Sequence, residues 1–132
     1  MKKLNVGFIC VHNSCRSQMA EAIGKLKYAD KINVYSAGSE MSRNINEDAV
    51  RIIKDLYNVN MIKTQKPKLI TDIPKLDVVI TMGCDVYCPI LENQYSEDWD
   101  LDDPSGQNDS KFIEVINQIE VNMENLLQKL NL

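Results

Sequence analysis

Eight consecutive residues, Cys10-Val11-His12-Asn13-Ser14-Cys15-Arg16-Ser17, combine the residue types and the spacing that chemistry on an oxyanion requires. A short loop running into a helix N-terminus aims several backbone N–H groups at one point, and the helix dipole favours negative charge there. Val11, His12, Asn13, Ser14 and Cys15 would supply that cradle, and Arg16, in the first helical turn, a bidentate fork for two oxygens of a tetrahedral anion. The same positive surroundings favour the thiolate of Cys10, the nucleophilic form of a cysteine. Ser17 is placed to donate a hydrogen bond to that thiolate. The plainer alternative is a buried cysteine at a strand end followed by an unrelated surface arginine. Cysteine and arginine at this separation are common by chance, so the strand–loop–helix setting has to carry the argument. His12 is the only histidine of the chain; its loop position favours a contribution through the backbone amide over a role as base.

Three further groups carry chemical potential. Cys84 and Cys88 lie in a short irregular segment, where Pro89 restricts Cys88 and disfavours helix and Gly83 frees the backbone just upstream. They fit redox partners, inert core thiols or metal ligands. A zinc site built from all four cysteines is disfavoured, because Cys10 and Cys15 are spaced for an anion loop and not for a short ligand knuckle. Asp103, followed by Pro104, is a candidate general acid for the oxygen that leaves the anion. Aspartate-proline is common in turns, and Asp102 stands beside it as a competing choice.

The elements that must position these residues read as alternating strands and helices. Leu4 to Cys10 is an apolar run of strand formers, Val11 to Cys15 a polar loop, and Arg16 to Lys27 a helix with Met19, Ala20, Ile23 and Leu26 at helical spacing. Asn13 and Ser14 are candidate caps for that helix. Ile32 to Ser36 reads as a second strand stopped by Ala37-Gly38, and Glu47 to Tyr57 as a helix with Ala49, Ile52, Ile53 and Leu56 on one side. Asp77 to Met82 is a third strand whose unbroken Val78-Val79-Ile80 implies burial on both faces. A weaker fourth strand lies between Gln94 and Trp99. Ser110 to Leu130 is the longest helix, with Phe112, Val115, Ile116, Ile119, Met123, Leu126, Leu127 and Leu130 as its stripe. Such alternation predicts an α/β fold, a three-layer sandwich with a central four-stranded parallel sheet flanked by helices, formed by residues 1–132 as a single domain. In an open sheet of this kind ligands sit beyond the carboxyl ends of the strands. Cys10 and Gly83-Cys84 are therefore expected at the same edge.

Bulk properties narrow the function further. The chain has 132 residues and a net charge of −4, which offers no global field for nucleic acid or an acidic membrane surface. No apolar run reaches bilayer length, and Met1-Lys2-Lys3 leads straight into Leu4 to Ile9, too short for a signal sequence. A cytoplasmic location is expected, and in that reducing compartment cysteines serve chemistry or packing more often than structural disulfides.

The stretch from Phe8 to Glu21 resembles the signature of the low-molecular-weight protein tyrosine phosphatase fold, in particular its thioredoxin-coupled arsenate reductase branch. Tyr35-Ser36-Ala37-Gly38, Thr81-Met82-Gly83-Cys84 with Cys88-Pro89, and Trp99 through Asp102-Asp103-Pro104-Ser105-Gly106 follow in family order. The resemblance implies that Cys10 attacks arsenate, that Asp103 is the acid, and that Cys84 and then Cys88 carry the oxidation to thioredoxin. It leaves Cys15 outside the relay. Phosphate or sulfate would bind as analogues, and the chain would act as a monomer without nucleic acid, membrane or tightly bound cofactor. The alternative implied by the same resemblance is a tyrosine phosphatase with a phosphocysteine intermediate. Cys84 and Cys88 favour the reductase, as does Ser105-Gly106 where the phosphatases place an aromatic residue. One departure stands out. Members of the branch that bind potassium use residues like Asn13, Glu21 and Ser36 together with threonine and aspartate, in a segment that here contains Lys66-Pro67-Lys68. A lysine ammonium, from Lys68, is expected to replace the ion.

Overall fold

The computed structural model describes residues 3–40, 42–83 and 95–132. Cys84 and Cys88 thus lie outside the described residues. Four parallel strands, β1 (Leu4–Cys10), β2 (Ile32–Gly38), β3 (Val78–Thr81) and β4 (Tyr95–Asp98), form one sheet in the order β2-β1-β3-β4. The helices are α1 (Arg16–Tyr28), α2 (Glu47–Tyr57), the short α3 (Met61–Thr64) and α4 (Asp109–Lys129). This is the α/β architecture expected from the sequence.

The two faces of the sheet are covered unequally. Val6, Phe8 and Cys10 of β1, Ile32 and Val34 of β2, and Val78 and Ile80 of β3 point to one side, as the two-residue period of a strand requires. There they meet Met19 and Ile23 of α1, Ile52 and Ile53 of α2, and Phe112, Ile119 and Met123 of α4 in one continuous core. Each large side chain buried there contributes about 1.5–3 kcal/mol of transfer free energy. On the other side Ile9, Ala37, Val79 and Leu76 form a smaller cluster, covered by Tyr35, Ile70 and Ile73 around a 3₁₀ turn at Ile70–Asp72. Gly7 permits this thin layer, since a Cβ there would stand 2.3 Å from Leu76 Cδ1.

Several sequence expectations are corrected. β2 does not stop before Ala37: it runs to Gly38, where the Gly38 amide donates to the Lys68 carbonyl at 2.8 Å. Neither Asn13 nor Ser14 caps α1; Cys15 occupies that position without a side-chain cap, because the loop side chains are committed elsewhere. Leu26 and Leu56, placed on apolar stripes by their spacing, are 51% and 49% exposed. Both sit in the last turn of their helix, where Tyr28 and Tyr57 instead pack against the core. The caps of α2 and α4 follow ordinary physics: Asn46 accepts from the Ala49 amide and Asn108 from the Lys111 amide.

Candidate active site

Cys10 ends β1, and the chain then turns through Val11 to Cys15 before α1 begins at Arg16. The turn is tight: Asn13 adopts φ 54°, the left-handed region that asparagine tolerates better than most residues. Gly38 passes directly beneath, and a Cβ on it would lie 2.5 Å from the Val11 carbonyl oxygen, so only glycine lets β2 approach the loop this closely. The loop crest is fixed from outside by the Asn46 amide, which donates to the Ser14 carbonyl at 2.7 Å.

Behind the loop the side chains of Asn13 and Ser17 are fully buried and wired together. Asn13 Nδ2 donates to Ser17 Oγ and to Ser36 Oγ, both at 2.9 Å. Ser36 in turn donates to Glu21 Oε1 at 2.6 Å. Asn13 Oδ1 accepts from the Lys68 amide and from Gln18 Nε2, and that pair of contacts fixes which way the amide faces. Ser17 Oγ lies 2.8 Å from Cys10 Sγ. A hydroxyl has one proton, and since Ser17 already accepts from Asn13, that proton is available to the sulfur. The network therefore presents Cys10 with a hydrogen-bond donor oriented in advance.

Arg16 is held just as firmly. Nη1 donates to the Met82 carbonyl at 2.8 Å and to the Leu101 carbonyl at 2.7 Å, joining the end of β3 to the segment that carries Asp102 and Asp103. Its Nη2 stands 4.0 Å from Asp103 Oδ2. Gly83, at φ 87°, packs against the backbone of Asp100 and Leu101 at the same junction, with 2.7 Å between its notional Cβ and Asp100 Cα. Cys10, Val11, His12, Ser14, Cys15, Arg16, Asp103 and Ser105 line a single cavity of about 250 Å³. That is room for a small tetrahedral anion beside the sulfur.

The two candidate acids separate on geometry. Asp102 is bonded to Lys111 Nζ at 2.7 Å, and that ammonium holds its carboxyl below the usual carboxylate range. A group kept ionised in this way is a poor proton donor at neutral pH. Asp103 lines the cavity, its Oδ1 accepting from the Ser105 amide in a local turn. Cys15 is likewise set apart from Cys10. Burial pushes its thiol up from 9.0 to about 12, with the nearby Asp103 carboxylate adding to the rise and Ser105 and Arg16 opposing it. It is a neutral thiol throughout the physiological range. His12 stands at the exposed rim, 3.7 Å from Glu40. Among the described residues no cluster of three or more His, Cys, Asp or Glu side chains is arranged to hold a metal.

The structure adds residues that sequence reasoning passed over. Gln18 and Gln65 form a buried amide pair behind the loop, Gln65 Nε2 donating to Gln18 Oε1 at 2.8 Å. Gln18 carried a signal, a polar residue in α1 next to the core residue Met19; Gln65, in an extended segment, carried none. Asn46 and Ser105 meet at the rim at 3.5 Å, a contact between residues 59 positions apart that no local sequence pattern signals.

Residues 5–132 match the family described as low molecular weight phosphotyrosine protein phosphatase. An arsenate reductase 1 of Staphylococcus epidermidis is 39% identical over 128 residues, covering 94% of this chain and 96% of its own length. The chain belongs to this family, on its arsenate reductase branch. Among solved structures, one described as an arsenate reductase in the phosphate binding state superposes with a TM-score of 0.83 at 37% identity, covering 97% of this chain and 98% of its own. A thioredoxin-dependent arsenate reductase of Corynebacterium glutamicum gives a TM-score of 0.79 at 33% identity, covering 98% of this chain and 62% of that longer protein. Among the described residues no helix is long and apolar enough to cross a membrane.

Proposed function

We propose that this protein is an arsenate reductase that works through a thiol–arsenate adduct on Cys10. The observation that carries the proposal is the convergence of Cys10, Arg16 and Asp103 on one small cavity, with Ser17 Oγ 2.8 Å from the sulfur. Arg16 and the loop amides hold the anion, and the Cys10 thiolate attacks arsenic. Asp103 gives its proton to the oxygen that leaves. The Cys84 thiolate then attacks the Cys10 sulfur: an S–S bond forms, the S–As bond breaks, and its electron pair departs with arsenic as arsenite. Arsenic falls from the V to the III state while two thiols become a disulfide. Cys88 attacks Cys84, which frees Cys10, and a thioredoxin-type dithiol protein reduces the Cys84–Cys88 disulfide. The setting for this chemistry is the reducing cytoplasm, and the working unit a monomer, since one chain provides every residue invoked.

The loop has no feature that separates arsenate from phosphate, so slow hydrolysis of phosphate esters accompanies the reductase activity. Lys68 takes the place of a bound potassium ion. Its Nζ lies 3.3 Å from Glu21 Oε1 and 3.0 Å from the Lys66 carbonyl, while its backbone amide holds Asn13. Turnover is accordingly expected to show no saturable rise with potassium over sodium at constant ionic strength.

The test is arsenate-dependent NADPH oxidation with thioredoxin and thioredoxin reductase. The native chain turns over, whereas Cys84→Ser and Cys88→Ser each stop after at most one equivalent of arsenite. Full turnover in both variants would rule out the relay.

A further inference from the structure

Glu21, which ends the hydrogen-bond chain from Asn13 through Ser36, lines a second cavity of about 500 Å³, whose lining also includes Lys25, Lys63, Lys66 and Lys68 and shares no residue with the oxyanion cavity. The chain as a whole is acidic, with 15 basic against 19 acidic residues, so gathering four ammonium groups around one concavity runs against its overall balance. Among the described residues Glu21 is the only carboxylate in the lining. It is 2% exposed and already receives two of the lysines, Lys25 Nζ at 2.5 Å on Oε2 and Lys68 Nζ at 3.3 Å on Oε1. Lys63 and Lys66 make no ion pair with any described residue and are exposed. The lining thus carries three positive charges in excess of its negative one, and two of its ammonium groups, on Lys63 and Lys66, have no carboxylate partner among the described residues. In a recess with low-dielectric walls such charges reinforce one another's field and raise the local concentration of anions.

We infer that this cavity is a binding site for a compact polyanion, two or more linked phosphate or carboxylate groups, separate from the site at Cys10. Size and charge both point to linked groups. The volume lies within the range of small-molecule sites and is twice the roughly 250 Å³ of the oxyanion cavity. A single small anion would neither fill the space nor balance the charge. Lysine suits the task, since its ammonium is a mobile point charge that adapts to anions of differing shape. The hydroxyl-bearing ring of Tyr35 forms part of the same wall.

The test is equilibrium dialysis of labelled pyrophosphate, with citrate in a parallel arm, against the native protein without magnesium. Ionic strength is held constant, and saturating orthophosphate occupies the oxyanion loop. One equivalent of pyrophosphate or citrate is expected to bind. Lys63→Ala/Lys66→Ala should weaken that binding at least tenfold; both side chains are exposed and unpaired, so the fold does not depend on them. The same variant should keep native arsenate turnover, which separates failure here from failure of the catalytic proposal. Absence of binding in both arms, equal affinity in the native and variant proteins, or binding abolished by orthophosphate would overturn the assignment.

Discussion

The oxyanion loop and the acid segment face each other across one cavity, yet they are built on opposite principles. The loop is buried and over-determined: Asn13 and Ser17 have no exposed surface, and among the described residues every buried side-chain nitrogen and oxygen has a hydrogen-bond partner. The acid segment is mostly exposed, with the Asp103 side chain 54% accessible and tied down by a local turn. The difference follows from the two tasks. A nucleophile gains when the donors that stabilise its charge are in place before the anion arrives, because no reorganisation is then needed during reaction. A general acid has to regain a proton from solvent on every cycle, and burial would slow that exchange. Arg16 is the residue common to both regions, its guanidinium rooted in the loop helix and bonded to the carbonyl just before the acids.

Breaking that shared residue should therefore have the largest effect. Arg16→Lys keeps the charge but cannot span the carbonyls of Met82 and Leu101 while offering a planar fork to the anion. A fall of about 10³ in kcat/KM for arsenate is expected, near the upper end for loss of one oxyanion donor, read by the coupled NADPH assay. Asp103→Asn should cost about 10²-fold, as is typical for a lost general acid. Its loss should shrink for phosphate esters whose leaving group needs no proton, and a uniform loss across leaving groups would remove Asp103 from the acid role. Asp102→Asn should have little effect on turnover, its carboxylate being engaged with Lys111.

The loop side of the comparison sharpens with Ser17→Ala. This change removes the donor 2.8 Å from Cys10 Sγ and leaves Asn13 Nδ2 short of one acceptor. A hydrogen bond to a charged group is worth about 1.5–3 kcal/mol. Below the pH at which the thiolate is fully formed, alkylation of Cys10 by iodoacetamide should therefore slow roughly tenfold. Equal rates in the two proteins would mean that the buried network is structural and does not tune the sulfur.

The same contrast explains what the sequence made legible. Cys10, Arg16 and Ser17 could be read directly, because their spacing ties one strand end to one helix start and the chemistry is local. The strand–helix alternation was equally open, since a short buried strand such as Val78-Val79-Ile80 has few other interpretations. The support behind the loop was largely hidden. Gln18, Gln65 and Asn46 are brought to it from α1, from an extended segment and from the cap of α2, and no local pattern encodes a contact between residues so far apart. The choice between Asp102 and Asp103 was hidden for the same reason, because it turns on Lys111 in a later helix. The unequal faces of the sheet were not legible either: alternation says that both faces are covered, and only packing says by how much.

Cys15 supplies the smallest of these effects, and it tests how far the burial of the loop reaches. Its thiol is pushed up from 9.0 to about 12 chiefly by burial, so its proton is held more tightly in the folded protein than in the unfolded chain. Above pH 9 the unfolded chain releases that proton while the folded protein keeps it. The unfolded state then binds fewer protons, and stability must fall as pH rises. Between pH 9 and 10 the decline from this group is about 1 kcal/mol, short of the roughly 1.4 kcal/mol of a full pH unit because the unfolded thiol is only half ionised at pH 9. Denaturant midpoints measured across that interval should accordingly drop in the native protein and drop less in Cys15→Ala, a change that tolerates the 4% exposed site because it adds no bulk. The same protonation should leave Cys15 unmodified by iodoacetamide at pH 8 while Cys10 reacts. Labelling of both thiols at similar rates would mean that the loop opens often enough to expose Cys15, and the contrast between a fixed loop and a loosely held acid segment would then be one of degree.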